Sequence, residues 1–136
     1  MSTRPVESLA THPALVYVVD ADPRVRASVC SLLAQLGADV RAFATAADAL
    51  DGIERAHPSC LIADSHLPDL GGLELLHLLR ERGLRVPTIL LSKDDDVSFA
   101  VAAMRAGAID FIEKPFVDRA LLNQVAPLLA LDDHAV

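Results

Sequence analysis

The sequence predicts an α/β domain: a five-stranded parallel sheet with helices on both faces. Short apolar runs of about five residues alternate with segments of helical periodicity five times between Leu15 and Leu131, the pattern of repeated strand, helix, strand units. The chain is 52% hydrophobic yet only 4% aromatic, which suits Ala- and Leu-rich helices on an aliphatic sheet. Its 136 residues make room for one such unit and no second domain.

The first strand is read at Leu15–Val19 and stops at Asp20. Asp22-Pro23 then has the form of an N-cap and first helical residue, and Val25, Val29, Leu32, Leu33 and Leu36 fall on one helical face before Gly37 ends the helix. Val40 to Phe43 forms a short second strand. Thr45 with Asp48 resembles a capping box for a helix reaching about Arg55. Cys60 to Ala63 is the third strand, ending at Asp64; a loop from Ser65 to Gly71 leads to a helix over Gly72 to Arg82, closed by Gly83. Pro87 to Leu91 is the fourth strand, ending at Ser92. Asp96 or a neighbouring Asp caps a fourth helix that runs through Met104 and stops at Gly107. Ala108 to Glu113 is the fifth strand, and a last helix starts near Asp118. Pro127 lies well inside that helix, where it removes a hydrogen bond and crowds the preceding turn, so a kink or an early end is expected. Residues 14–131 are expected to be the domain, with 1–13 and 132–136 as tails. Right-handed crossovers and two half-wound lobes suit the strand order 2-1-3-4-5.

Asp20, Asp64, Ser92 and Lys114 each stand at or just beyond the C-terminal end of a different predicted strand. In a parallel sheet all four converge at one edge, where open α/β sheets bind ligands. A carboxylate nucleophile, further carboxylates for Mg²⁺, a hydroxyl for a phosphoryl oxygen and an ammonium for developing charge suit phosphoryl transfer. A single acid after a strand is more often a helix cap or a solvated loop residue. Four convergent groups are harder to explain that way.

Three segments carry a resemblance. Val16-Tyr17-Val18-Val19-Asp20, the run from Leu61 through Asp64 to Leu75, and Ala106 to Phe116 are similar to the first, third and fifth strand motifs of response-regulator receiver domains, in particular the FixJ-like subfamily. The separations of 44, 28 and 22 residues between Asp20, Asp64, Ser92 and Lys114 fit that subfamily without gaps, and the resemblance covers about residues 14 to 130. It implies a flavodoxin-like fold, with Asp64 as acceptor of a phosphoryl group from a histidine kinase and Lys114 as its ion-pair partner. Ser92 becomes the switch hydroxyl and Phe111 the aromatic that changes rotamer with it. It further implies Mg²⁺ held by Asp64, by Asp20 through water and by the backbone carbonyl of His66, and a cis Lys114-Pro115 bond. Such a domain catalyses its own phosphorylation and dephosphorylation without being a conventional enzyme. Its output is expected to be a phosphorylation-dependent homodimer through the fourth helix and fifth strand. Val97, Val101 and Met104 lie at helical spacing on that helix, a spacing equally compatible with a core role.

The chain departs from the family in two places. Receivers usually carry two adjacent acids after the first strand; here the second is Ala21. Asp22 can reach back as a metal ligand, although a plain N-cap for Pro23 is the favoured reading. Losing a hard oxygen ligand weakens Mg²⁺ binding. The fourth-strand loop reads Lys93-Asp94-Asp95-Asp96, and Lys93 either stands over the entrance to Asp64 or is simply solvated. The alternative is therefore a pseudo-receiver, a binding module impaired in phosphorylation by Ala21 and Lys93. A phosphatase of the haloacid dehalogenase class, suggested by Asp20-Ala21-Asp22, fits poorly: Arg24 is wrong for its motif, and no strand follows Lys114.

The formal charge of −7 and pI near 5.0 oppose direct nucleic-acid or membrane binding. The first 13 residues lack the apolar core of a signal peptide and no run approaches membrane-span length, so a cytoplasmic location is expected. Cys30 and Cys60 lack CxxC spacing and read as buried reduced thiols. His12, His57, His77 and His134 have no metal-ligand spacing and read as surface or local packing residues.

Overall fold

The computed structural model describes residues 13–93 and 97–135, with side chains described up to residue 130. The N-terminal tail to residue 12, the capping role of Asp96 or its neighbours, His12 and His134 lie outside this description.

The elements run β1 (Leu15–Val19), α1 (Pro23–Ala34), β2 (Asp39–Phe43), α2 (Ala46–Arg55), β3 (Cys60–Asp64), α3 (Gly72–Glu81), β4 (Thr88–Ser92), α4 (Val97–Arg105), β5 (Asp110–Glu113) and α5 (Asp118–Ala135). All strand pairs are parallel and the sheet order is β2-β1-β3-β4-β5, as expected. Gly37, Gly83 and Gly107, read as helix stops, all take positive φ.

Successive strand residues point to opposite faces, and the sequence exploits both. Val16, Val18, Cys60, Ile62, Ile89, Leu91 and Ile112 pack with Val29 and Leu33 of α1 and Leu121, Val125 and Leu129 of α5. Tyr17, Val19, Leu61, Ala63 and Leu90 pack on the other side with residues of α2, α3 and α4. Both faces being covered, β3 and β4 are buried almost throughout, which explains their unbroken apolar runs. Each large aliphatic side chain fully removed from water there contributes about 1.5–3 kcal/mol.

Two expectations near the C-terminus need correction. α5 is one helix from Asp118 to Ala135 that passes through Pro127, so it neither ends early nor leaves residues 132–135 as a tail. Leu121, Val125 and Leu129 are 0%, 0% and 8% exposed and lie one turn apart on the core side. Pro127 projects to solvent on the far side, where water can satisfy the carbonyl that loses its N–H partner. Leu128 and Leu129 pack on this domain's own core. Of the thiols, Cys60 is buried and Cys30 only half-buried; burial pushes Cys60 up to about 12 and raises Cys30 above its usual value against the opposing charge of Arg26.

Candidate functional site

The sheet ladder continues past the strand ends and fixes the backbone of the site. Asp20 N–H donates to Phe43 O at 3.1 Å, Ser65 N–H to Leu91 O at 2.8 Å and Lys114 N–H to Ser92 O at 2.6 Å. Asp64 pairs with Leu91, and Ser92 with Glu113. Asp20, Asp64, Ser92 and Lys114 therefore meet at the C-terminal edge, as their positions after the strands implied.

Lys114 Nζ donates to Asp20 Oδ2 at 2.8 Å and to Asp64 Oδ1 at 2.9 Å. The side chains are 10%, 4% and 15% exposed in the order Lys114, Asp20, Asp64. Burial disfavours the ammonium, but the hydrogen bonds and charges of the two carboxylates outweigh it and hold Lys114 above the usual lysine range. Lys114 follows β5 and precedes a cis peptide bond to Pro115. Ser92 is fully buried at the end of β4.

The turn after β1 is built around Asp20. Its Oδ1 accepts from Asp22 N–H at 2.9 Å, and Arg26 of α1 donates to the carbonyls of Asp20 at 2.7 Å and Ala21 at 3.4 Å. Asp22 caps α1, its carboxylate accepting from Arg24 N–H at 2.9 Å. Of its two readings, the cap is the one seen. Thr45 likewise accepts from Asp48 N–H at the start of α2.

The loop after Asp64 is fastened at several points. Gly72 N–H donates to Ser65 O at 2.7 Å, and a Cβ at Gly72 would stand 3.1 Å from Ser65 Cα; glycine is what lets α3 begin this close to the site. Asp69 reaches across to α2, its two oxygens accepting from the N–H groups of Ala46 and Ala47 at 3.0 Å each. The bonds from Ala47 and then Ala46 hold the Asp69 carboxyl below the ordinary range, against a small opposing effect of burial. The His66 imidazole is exposed, linked through Nδ1 to Ser65 Oγ at 2.9 Å and stacked on Phe99; sequence reasoning gave only its backbone a role. Arg26, Asp69, Gly72 and the His66 side chain were all missed. Their partners are distant in sequence or depend on side-chain direction, so local pattern carried no signal for them.

Among the described residues no group of three or more His, Cys, Asp and Glu side chains is arranged to hold a metal ion. Asp20 and Asp64 still supply two carboxylates around one point. That set suits Mg²⁺, which commonly takes one or two protein carboxylates and keeps several waters. Lys93 is exposed at the end of β4. On α4, Val97, Val101 and Met104 are 74%, 43% and 46% exposed, which excludes the core role their spacing allowed. His57 and His77 are exposed, as expected.

The family model described as the response regulator receiver domain matches residues 16–126. The chain belongs to the response-regulator receiver family. It is similar to the response regulator protein TodT of Pseudomonas putida, 33% identical over 123 residues, covering 90% of this chain and 54% of that protein. It is also similar to the transcriptional regulatory protein FixJ of Azorhizobium caulinodans, 40% identical over 110 residues, covering 81% of this chain and 52% of the relative. The chain thus spans about half the length of the curated relatives it matches. Among solved structures, FixJ-N superposes with a TM-score of 0.79 at 33% identity, covering 88% of this chain and 95% of that one. The beryllofluoride-activated DrrB receiver domain gives 0.78 at 30%, covering 87% and 98%. The FixJ-like resemblance and the flavodoxin-like fold are borne out. Members of this family accept a phosphoryl group on an aspartate and convert it into a change of an interaction surface, and that is the function of this chain. Neither the geometry nor these relatives favour the pseudo-receiver reading.

Proposed function

We propose that Asp64 is the phosphoryl acceptor, on the strength of one observation: among the described residues it alone combines a carboxylate at the end of a central strand, partial solvent access and a shared ammonium with Asp20. Oδ1 is engaged by Lys114, and Oδ2 has no hydrogen bond among the described residues. Oδ2 is the nucleophile. It forms a bond to phosphorus as the bond from phosphorus to the imidazole nitrogen of a histidine kinase breaks, and the imidazole leaves with that electron pair and takes a proton from solvent. Lys114 offsets charge on the phosphoryl oxygens, and the Ser92 hydroxyl turns to donate to one of them. Asp20, with its carboxylate fixed by Asp22 N–H and Lys114, would hold Mg²⁺ together with Asp64 and the carbonyl of His66. When bound, the ion neutralises charge on the transferring group. Asp22 is not part of this set, because its carboxylate caps α1.

The partners that follow are a histidine kinase and, after activation, a second copy of this chain docked through α4 and β5, with the chain itself in the cytoplasm. The exposed Val97, Val101 and Met104 support that surface. The charge of −7 argues against nucleic acid as a direct partner of this chain. Among the described residues no helix is long and apolar enough to cross a membrane. Treatment with acetyl phosphate and Mg²⁺, borohydride trapping and mass spectrometry should place the adduct on Asp64. Labelling that persists in Asp64→Ala, with the adduct on Asp20 or Asp22, would overturn the assignment.

A further inference from the structure

Aromatic residues make up 4% of this chain, yet three rings stand in a row beside the site. Phe99 on α4 stacks on the imidazole of His66, with centroids 6.0 Å apart and planes at 24°. Its other side meets Phe111 of β5 edge-on, at 5.7 Å and 64°. Both separations lie within the range where ring pairs attract. The His66 end is anchored. Its Nδ1 lies 2.9 Å from Ser65 Oγ, and Ser65 is buried and tied to Leu91 O and Gly72 N. A continuous path of contacts therefore runs from the residue after Asp64, through His66 and Phe99, to Phe111.

We propose that Phe99 is a positioning residue that couples the imidazole of His66 to the ring of Phe111, so that the loop following Asp64 and the β5 aromatic shift together. The inference rests on the reading of Asp64 as acceptor and Phe111 as the moving ring, and adds a second route between them beside Ser92. An inward turn of Phe111 removes the edge contact on Phe99, and the His66 stack then relaxes. Conversely, a loop displaced by a phosphoryl group loosens Phe99 from Phe111. Coupling of this kind requires two arrangements of one packed unit, which three rings in series provide.

The test follows the imidazole C–H signals of His66 by NMR in the full chain, assigned by their loss in His66→Asn. Without any phosphodonor, Phe111→Ala should shift these signals in the wild-type background and in Phe99→Tyr, which keeps the ring, and should leave them unmoved in Phe99→Leu. Phe99→Met replaces the leucine variant if that one fails to fold. Signals indifferent to Phe111→Ala in the wild type, or shifted equally without the Phe99 ring, would overturn the proposal whatever the phosphoryl chemistry. Beryllofluoride with Mg²⁺ is then added and followed by fluorine NMR. Bound fluoride with a His66 shift that differs between the wild type and Phe99→Leu supports the coupling, and an equal shift in the two overturns it. Bound fluoride with unmoved wild-type signals overturns it. No bound fluoride, with the Phe111→Ala coupling intact, rejects the acceptor reading and leaves the ring link supported.

Discussion

Replacing Lys114 with methionine should expose how strongly the two carboxylates depend on one ammonium. Asp20 Oδ2 and Asp64 Oδ1 lie 2.8 and 2.9 Å from Nζ, so they are at most about 5.7 Å apart. Without the cation between them, two unit charges at that distance repel by about 3 kcal/mol at an effective dielectric of about 20. Their side-chain exposures of 4% and 15% leave little room for solvent screening. Some of the repulsion relaxes, and the expected loss at pH 7 is about 2–4 kcal/mol, or on the order of 1–3 M in the urea midpoint. The pH dependence separates repulsion from lost packing. Protonation of one of two facing carboxylates removes the repulsion, so the penalty shrinks as pH falls from about 7 to about 4.5. In the wild type the raised Lys114 pKa keeps the ammonium charged through this window; its contribution is complete below the ordinary lysine value of about 10.4 and is lost only as pH rises through the folded value. Urea titrations of wild type and Lys114→Met at pH 7 and 4.5 measure both effects. A loss below about 1 kcal/mol, or one equal at the two pH values, would refute a charge-centred account of the triad.

Ala21→Asp restores the missing hard ligand and should tighten Mg²⁺ by about tenfold or more, that is by at least about 1.4 kcal/mol; an unchanged calorimetric titration would mean that water or another group already fills the position. Asp69→Ala should cost about 0.5–2 kcal/mol at pH 7 by uncapping α2. Because the Asp69 pKa is lowered, this contribution is present above the ordinary carboxylate value of about 3.9 and fades as pH falls through the folded value, so wild type and variant should converge in acid; parallel acid-denaturation curves would contradict it. Val101→Glu places a charge on the exposed apolar stripe of α4 and should abolish any rise in sedimentation mass on beryllofluoride activation, while a dimer indifferent to it would move the output surface elsewhere.

The sequence by itself determined the element order, the two-faced sheet and the strand ends carrying Asp20, Asp64, Ser92 and Lys114. These follow from local physics: short unbroken apolar runs build strands buried on both faces, helical periodicity builds amphipathic faces, and Gly37, Gly83 and Gly107 stop the helices where a positive φ is needed. Spacing left other questions open. Asp22 suits a cap better than a metal without excluding the metal, and Val101 suits core and surface equally; only the direction each side chain takes in the folded domain separates the pairs. Pro127 looks like a helix breaker until Leu121, Val125 and Leu129 are seen buried on the opposite side of the same helix. The bonds from Asp69 to α2, from Arg26 to the β1 turn, and the row formed by His66, Phe99 and Phe111 belong to the tertiary structure alone. They join residues whose proximity is created by strand order and helix packing, and a chain read residue by residue contains no record of that proximity.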